Sequence, residues 1–511
     1  ECTPAMIGAE TGRTILTKRS GQVILIQEVI IDFTKERKQR VFITSAGNTE
    51  VFSHAARACA AIVLWMAIWW FTEAVPIAVT SLLPIVLFPL FEVMGSSDTL
   101  KEYANGTIFL FLGGFLIAAG IARWHLDRRI ALLTIRIVGT KPQQIILGLL
   151  LSTSFISAWV SNTATAAMMV PIALAVLKVV RTTRGEAAID RAEHNFGVCV
   201  LLAVAYGASL GGVLTLIGTP PNGIFARFVE QTYGVTVSFI DWMLIAFPIV
   251  LVMIVVTQLL MTKVLFRDLI DDLPGGKDWV THEYSKLGPM SRGEKIVLTV
   301  FVSAALLWCF GPLIRGIEIA GALPFKPLSD TVIAMAAGII LFIIPVDYKR
   351  GVHALDWSSA SDTVAWDVLL LFGGGLSMAA AIQKTGLADI IGAQATVLSS
   401  MPEVAAISGL TTLTVFASEF TSNTALAATM MPLVSAVADS TGMHPEVLLV
   451  ATTFGASLAF MMPVGTPPNA IIFGTGRIRI GEMIRAGFWL NVCGIVVVTL
   501  ICSVFSVGMI P

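Results

Sequence analysis

A long apolar run, Ile145 to Val180, is interrupted near its middle by Ser161-Asn162-Thr163. In lipid every backbone polar group must be satisfied internally. A polar break at that depth survives only where protein surrounds it or where it lines a cavity. The surrounding text, FISAWVSNTATAAMMVPIAL from Phe155 to Leu174, has a second copy, FASEFTSNTALAATMMPLV from Phe416 to Val434. The second copy carries Ser422-Asn423-Thr424 in the same relative place, and each triplet is followed by a proline, Pro171 or Pro432. A single such triplet could serve only to join neighbouring helices by hydrogen bonds. Two in matched contexts point to a binding site with one contribution from each half of the chain.

The chemistry follows from helix ends. A helix that restarts presents unpaired N–H groups and the positive end of its dipole, which attract an anion. The half that stops leaves carbonyls and a negative end, which suit a cation. Hydroxyls and the asparagine amide add donors for a carboxylate and oxygens for a hard cation. Discontinuous helices in secondary transporters use the same parts.

Of the 511 residues, 56% are hydrophobic and 13% charged, half the charge of an average soluble protein, which signals immersion in a membrane. Cys59 to Leu90, Ile145 to Val180, Phe239 to Leu265 and Phe488 to Ile510 each reach the length of a span. The chain therefore reads as polytopic and all-α. A net charge of −1 offers no basic face for nucleic acid. The six cysteines are scattered without a close pair, which argues against a disulfide framework or a zinc site.

Residues 1–54 are largely polar, and the cluster Lys35-Glu36-Arg37-Lys38-Gln39-Arg40 places them on the cytoplasmic side by the positive-inside tendency. Glu73 lies among the prolines and apolar residues of the first long run, as a functional carboxylate or as a cap at a helix break. Trp65, Trp69 and Trp70 suit an interfacial belt. The apolar segment around Gly113-Gly114 is short before charges begin at Arg123, so a re-entrant hairpin turning at the glycines is expected, with a counterpart at Gly373-Gly374-Gly375. Close helix packing is the plainer reading of the same glycines. Residues 123–141 carry Arg123, Arg128, Arg129, Arg136 and Lys141, whereas the matching 383–402 carries only Lys384. Matched segments on opposite membrane faces would account for this, so the repeats read as inverted. Further on, Gly218-Thr219-Pro220-Pro221-Asn222 is answered by Gly465-Thr466-Pro467-Pro468-Asn469. Paired prolines exclude a regular helix there. The glycine carbonyl can ligate a cation, and the threonine hydroxyl can face a substrate.

Gly113 to Gly373 is 260 residues, Ser161 to Ser422 is 261 and Gly218 to Gly465 is 247, the last shortened by a loop after the second triplet helix. Two repeats are expected, 55–265 and 296–511, joined by a hydrophilic connector at 266–295.

With these motifs in hand, the chain from about residue 60 onward resembles the divalent anion/sodium symporters, the INDY-type di- and tricarboxylate transporters. The paired triplets, Glu73-x-x-Pro76, the FLGG and FGGG segments and the two GTPPN turns carry the resemblance. It implies a homodimer whose protomers each have a scaffold domain and a transport domain. The transport domain, with two hairpins and two broken helices, moves as an elevator. It further implies substrate contacts from Ser161, Asn162, Thr163, Thr219, Ser422, Asn423, Thr424, Thr466 and Pro467. One sodium site would use Ser157, Ser161, Asn162 and the Gly218 carbonyl, and a second Ser418, Asn423 and the Gly465 carbonyl. Ser418 and Gly465 stand where many members have Thr and Ala, and Thr421 where Ala or Val is usual.

The function expected is sodium-coupled import of C4-dicarboxylates such as succinate, malate and fumarate across the plasma or inner membrane. Sodium-independent exchange, or a preference for citrate or sulfate, is the alternative within transport. An intramembrane hydrolase would need a nucleophile with its base, or facing acids. The obvious deep acids, Glu73 and Glu419, have no histidine beside them in sequence. A channel would need a continuous polar path rather than two closed breaks.

Overall fold

A computed structural model describes residues 53–504 apart from 185–189, 273–275, 320–321 and 396–400, together with five short strand segments between residues 14 and 51. Lys35 to Lys38 of the basic cluster lie outside the described residues. The principal helices are α1 (His54–Thr72), α2 (Gly106–Arg123), α3 (Leu126–Val138), α4 (Pro142–Ser157), α5 (Asn162–Arg184), α6 (Arg191–Val213), α7 (Pro220–Tyr233) and α8 (Phe239–Leu259). They continue as α9 (Arg292–Cys309), α10 (Asp330–Ile343), α11 (Trp366–Lys384), α12 (Leu387–Ala395), α13 (Glu403–Ser418), α14 (Asn423–Thr441), α15 (Pro445–Ser457), α16 (Pro467–Gly474) and α17 (Ile480–Val504). Among the described residues, seven helical stretches are long and apolar enough to cross a membrane. Their starts are written in the sequence. Asp190, Ser238 and Ser291 accept N-cap hydrogen bonds, and Pro142, Pro220 and Pro445 stand at first-turn positions that need no N–H.

Helix directions follow from close contacts along α6. Gly207 lies against Leu150 and Gly211 against Ser154, so α4 runs with α6. Gly197 lies against Leu177 and Gly212 against Asn162, so α5 runs against it. The α4–α5 pair is therefore a helical hairpin with the first triplet at its tip. The same order recurs downstream. Glu403 accepts from the His444 N–H, Gly455 lies against Thr414 and Glu419 accepts from the Phe460 N–H, so α13 runs with α15. Helix α14 returns to α15 through the tight turn Gly442 to His444, where Gly442 takes φ +72°. The second triplet sits at the tip of this second hairpin.

The glycine pairs are not where the chain turns. Gly113 and Gly114 lie inside unbroken α2, and Gly373 to Gly375 inside unbroken α11. A Cβ at Gly113 would come within 2.5 Å of the Ala334 backbone, and one at Gly374 within 2.5 Å of the Ser81 carbonyl. These glycines admit neighbouring backbone. The turns come later, at His125 (φ 52°) and Gly386 (φ 72°). Nor is the first segment too short to cross, because the helical stretch begins upstream, at Ser96.

For Glu73 the helix-break reading holds, while the reading of Trp70 changes. Helix α1 stops at Thr72 with Glu73 in the left-handed conformation (φ 48°), exposed, so this carboxylate ends a helix. Trp70 is fully buried, its indole directed at the Ile77 carbonyl and the Ser81 hydroxyl. Trp65, 42% exposed, packs edge-on against Trp69.

The basic segment 123–141 docks the start of the second half. Arg129, buried in α3, meets Glu294 at 2.7 Å and donates to the carbonyls of Leu287 and Gly288. Glu294 also closes the capping box that starts α9. Arg123 pairs with Asp356, whose carboxyl is held below its ordinary value by the Ser359 N–H and then by that guanidinium.

A Cβ at Gly211 would lie 2.1 Å from the Ser154 carbonyl, while at Gly409 on α13 it would meet open space. Gly211→Ala should therefore lower the thermal midpoint of the detergent-purified protein, at an overpacking cost of about 1–3 kcal/mol. Gly409→Ala should be neutral or stabilising by about 0.5–1 kcal/mol. Equal responses would contradict the hairpin packing.

Candidate functional site

Four helix N-termini are gathered near the end of α6, in two level pairs. Helix α7 packs along α14, and Tyr233 at its far end bonds Ser435 at 2.7 Å, deep in α14. Helix α16 packs along α5, and Arg477 to Arg479 beyond its end share a cavity wall with Leu174 to Lys178. Each triplet helix thus lies beside the post-turn helix of the other half, and the paired helices begin level with one another. Each N-terminus carries about half a positive elementary charge, with its first N–H groups unpaired inside the helix. Among the described residues Arg129 is the sole buried Lys or Arg, and it belongs to the α3–α9 contact. Positive potential at these ends therefore comes from backbone.

At the first tip, Ala158 to Ser161 link α4 and α5. The Ser157 hydroxyl lies 2.7 Å from the Asn162 amide oxygen and 2.7 Å from the Ala208 carbonyl. Gly212 is under the same amide, where a Cβ would come within 2.2 Å of it. Ser161 starts α5, with its hydroxyl accepting from the Ala164 N–H at 3.4 Å. Thr163 is exposed. At the second tip Ser422 is the N-cap of α14, and Thr424 is buried, at 8% exposure. Ser418 donates to the Val415 carbonyl at 2.8 Å, and the buried amide oxygen of Asn423 has no hydrogen-bond partner. Three oxygens are clustered at the first tip. At the second, one buried acceptor is left for something else to satisfy.

The unwound turns after α6 and α15 are tied to these tips, each by a different device. Thr215 donates its hydroxyl to the Ala158 carbonyl and receives the Gly218 N–H at 3.2 Å. Asn222 anchors the turn by donating to the Thr215 carbonyl at 2.7 Å, with its amide nitrogen also 3.1 Å from the Gly212 carbonyl. In the second half Glu419 does this work. Fully buried, it accepts from the N–H groups of Phe460 (2.8 Å), Met461 (2.9 Å) and Met462 (2.8 Å) and from the Asn491 amide (2.7 Å). Successive backbone N–H groups of this kind form an anion nest, here filled by the chain's own carboxylate. Asn469 repeats the part of Asn222, donating to the Met462 carbonyl at 3.1 Å. Thr219 and Thr466 are both buried N-caps in extended conformation, of α7 and α16. Gly218 and Gly465 are buried, and Pro467 is exposed. A Cβ at Gly465 would press on Glu419 at 3.0 Å from its carboxylate and 3.1 Å from its carbonyl, so glycine suits this position when Glu419 is engaged. Aromatic contacts close the wall, with Tyr206 edge-on to Phe460 and Trp242 stacked on Phe454 while donating to the Val213 carbonyl at 2.9 Å.

The structure thus gathers each triplet with the turn of its own half and the post-turn helix of the other. Sequence reasoning gave no role to Thr215, Asn222, Asn469 or Asn491, and saw Glu419 only as an acid without a histidine. The repeated final Asn of GTPPN was the available signal for two of them. Oxygen ligands from hydroxyls, amides and carbonyls suit an alkali cation, and among the described residues no cluster of three His, Cys, Asp or Glu side chains could hold a transition metal.

Glu419→Gln keeps the volume but turns an amide NH₂ toward backbone donors. It should cost about 1–3 kcal/mol in stability for the unsatisfied buried donors, read as a fall in thermal midpoint. Thr215→Val, which removes two neutral hydrogen bonds, should cost about 1–3 kcal/mol by the same measure. A Glu419→Gln protein as stable as the parent would contradict the clamp.

Comparison with known proteins accords with this geometry. Residues 41–510 match the family described as the sodium:sulfate symporter transmembrane region. The chain is 39% identical over 442 residues to the sodium-dependent dicarboxylate transporter SdcS of Staphylococcus saprophyticus, covering 86% of this chain and 84% of that one. It is also 39% identical over 443 residues to SdcS of Staphylococcus aureus strain USA300, with the same coverage. In fold it is similar to the YdaH transporter of Alcanivorax borkumensis, with a TM-score of 0.58 at 13% identity over 90% of this chain and 100% of that one. MtrF of Neisseria gonorrhoeae gives a TM-score of 0.56 at 14% identity, over 89% and 95%. The resemblance read from the triplets and turns is borne out: this chain is a multi-pass membrane protein that belongs to the sodium:sulfate symporter family, a family of transporters and not of enzymes.

Proposed function

We propose that the chain is a sodium-coupled symporter importing C4-dicarboxylates such as succinate, malate and fumarate across the plasma or inner membrane. The observation that carries this reading is the gathering of four helix N-termini where, among the described residues, no buried Lys or Arg is present. A dianion can be held there by N–H groups, hydroxyls and amides, with bound cations supplying the remaining positive charge. Import against an inside-negative potential costs about 2.3 kcal/mol per charge per 100 mV, which co-transported sodium offsets. The printed names of the Staphylococcus relatives, sodium-dependent dicarboxylate transporters, support this substrate class.

In this reading the substrate carboxylates meet Ser161, Asn162, Thr163, Thr219, Ser422, Asn423, Thr424, Thr466 and Pro467. The first sodium takes Ser157, Ser161, Asn162 and the Gly218 carbonyl. The Ser157 hydroxyl, already 2.7 Å from the Ala208 carbonyl, can turn its proton there and free both its own oxygen and that of Asn162 for the ion. The second sodium takes Ser418, Asn423 and the Gly465 carbonyl, and the unpartnered Asn423 oxygen supports it. Sodium binds first because it fixes the tips before the anion arrives. The crosswise pairing of the two halves makes the hairpins and post-turn helices one body. That suits an elevator in which this body, the transport domain, moves against a scaffold held in a homodimer. The division into a cytoplasmic segment 1–54, inverted repeats 55–265 and 296–511 and a connector 266–295 belongs to the same proposal.

Uptake of labelled succinate into proteoliposomes should require an inward sodium gradient and vanish when choline replaces sodium. Equal uptake in both would replace the symport reading with exchange, and citrate and sulfate tested alongside rank the substrates. Asn162→Ala should raise the half-saturating concentrations of both sodium and succinate. Thr424→Ala should raise mainly that of succinate, by roughly two- to tenfold for one lost hydrogen bond. An unchanged sodium response in Asn162→Ala would remove the shared-ligand role.

A further inference from the structure

At the open end of the first hairpin, away from its tip, a cavity of about 620 Å³ lies between α5, the start of α6 and the segment Gly476 to Arg479 that leads into α17. Lys178 and Arg181 line it from α5, His194 from α6, and Arg477 and Arg479 from the second half. Its acids are already engaged. Glu193 is 3.5 Å from Arg181, and Glu482 beside the cavity receives His194 at 2.6 Å and the Arg479 N–H at 2.9 Å. Lys178, Arg477 and Arg479 are exposed, and their side chains form no ion pair among the described residues. Cations from both halves of the chain therefore face one space, an arrangement that is repulsive until an anion fills it.

The other half shows that the fold itself does not require them. The same place in the α7–α14 pairing, found by applying the triplet and GTPPN offsets, holds Asp439 where α5 has Lys178, and Glu230 where Arg477 stands. Charge is thus reversed between positions matched by those offsets, Glu230 standing inside α7 and Arg477 just beyond the end of α16. The cavity also lies on the face of the basic helix α3, since α4 starts and α5 ends on that side.

We propose that this cavity is a binding site for a phosphate-bearing polyanion, held by Lys178, Arg477 and Arg479 with Arg181. Such a ligand joins α5 of the first half to the α16–α17 link of the second, at the end opposite the four helix N-termini. Phosphate oxygens suit this set because guanidinium groups bind them in two-pronged fashion and an ammonium adds a movable point charge. The phosphate arrives either on a soluble molecule or on an anionic lipid headgroup at the membrane surface. The site is separate from the transport site, and its test does not depend on transport.

Thermal unfolding of the purified full-length protein tests it in two arms. One titrates pyrophosphate into protein held in neutral phosphatidylcholine nanodiscs. The other compares phosphatidylcholine with phosphatidylglycerol nanodiscs without pyrophosphate. The midpoint of the parent should rise in at least one arm, and the responding arm identifies the source of the phosphate. Lys178→Gln with Arg477→Gln should leave the ligand-free midpoint unchanged and weaken the response at least about tenfold, the loss of two charge-assisted contacts. Lys349→Gln with Arg350→Gln, on an exposed turn elsewhere, should leave the response intact. Arg479→Gln alone should weaken it in the same direction, which keeps the test open if the double variant folds poorly. No rise in either arm, or equal weakening by the Lys349 and Arg350 variant, would overturn the proposal.

Discussion

The structure depends on four interrupted helices whose N-terminal ends are gathered, among the described residues, without a buried Lys or Arg between them. Each end carries unpaired N–H groups and part of a dipole, and inside a low-dielectric body such groups are costly unless something satisfies them. The fold meets part of that demand internally. Thr215 and Asn222 tether one turn, while Glu419, Asn469 and Asn491 tether the other. At the second tip the buried Asn423 amide oxygen is left without a partner, an acceptor that a bound cation would satisfy.

The two halves perform the same task with unequal chemistry. Ala158 offers only its carbonyl to the neighbouring turn, whereas its counterpart Glu419 offers both carboxyl oxygens to three backbone N–H groups and an amide. The first tip is held by Ser157 against Asn162, while Asn423 keeps an unpartnered oxygen. The buried Glu419 carboxyl thus stands beside the second tip, where the first tip has no acid. The tips are related by sequence yet differ electrostatically.

Much of this was legible in the sequence because polar residues inside apolar runs are rare and their repetition is rarer. Ser161-Asn162-Thr163 and Ser422-Asn423-Thr424 mark real breaks, and the two GTPPN segments mark real turns. The hairpins were misplaced for a physical reason. Gly113-Gly114 and Gly373 to Gly375 signal close backbone approach as readily as a change of direction, and only the partner across the contact decides. Glu419 was underread because its partners are main-chain groups some forty residues away, which no side-chain pattern can reveal. Trp70 was assigned to an outer belt from its neighbours' spacing, but its indole finds partners beyond the next break.

The crosswise docking of α7 on α14 and of α16 on α5 has a consequence for how such a molecule can come into being. Each half covers its own broken helices only in part, with its turn, and the post-turn helix of the other half supplies the rest. Each hairpin therefore gains its full set of neighbours only once the carboxyl half has been synthesised and has interleaved with the first. The last-made helices thus complete the packing of the first-made ones.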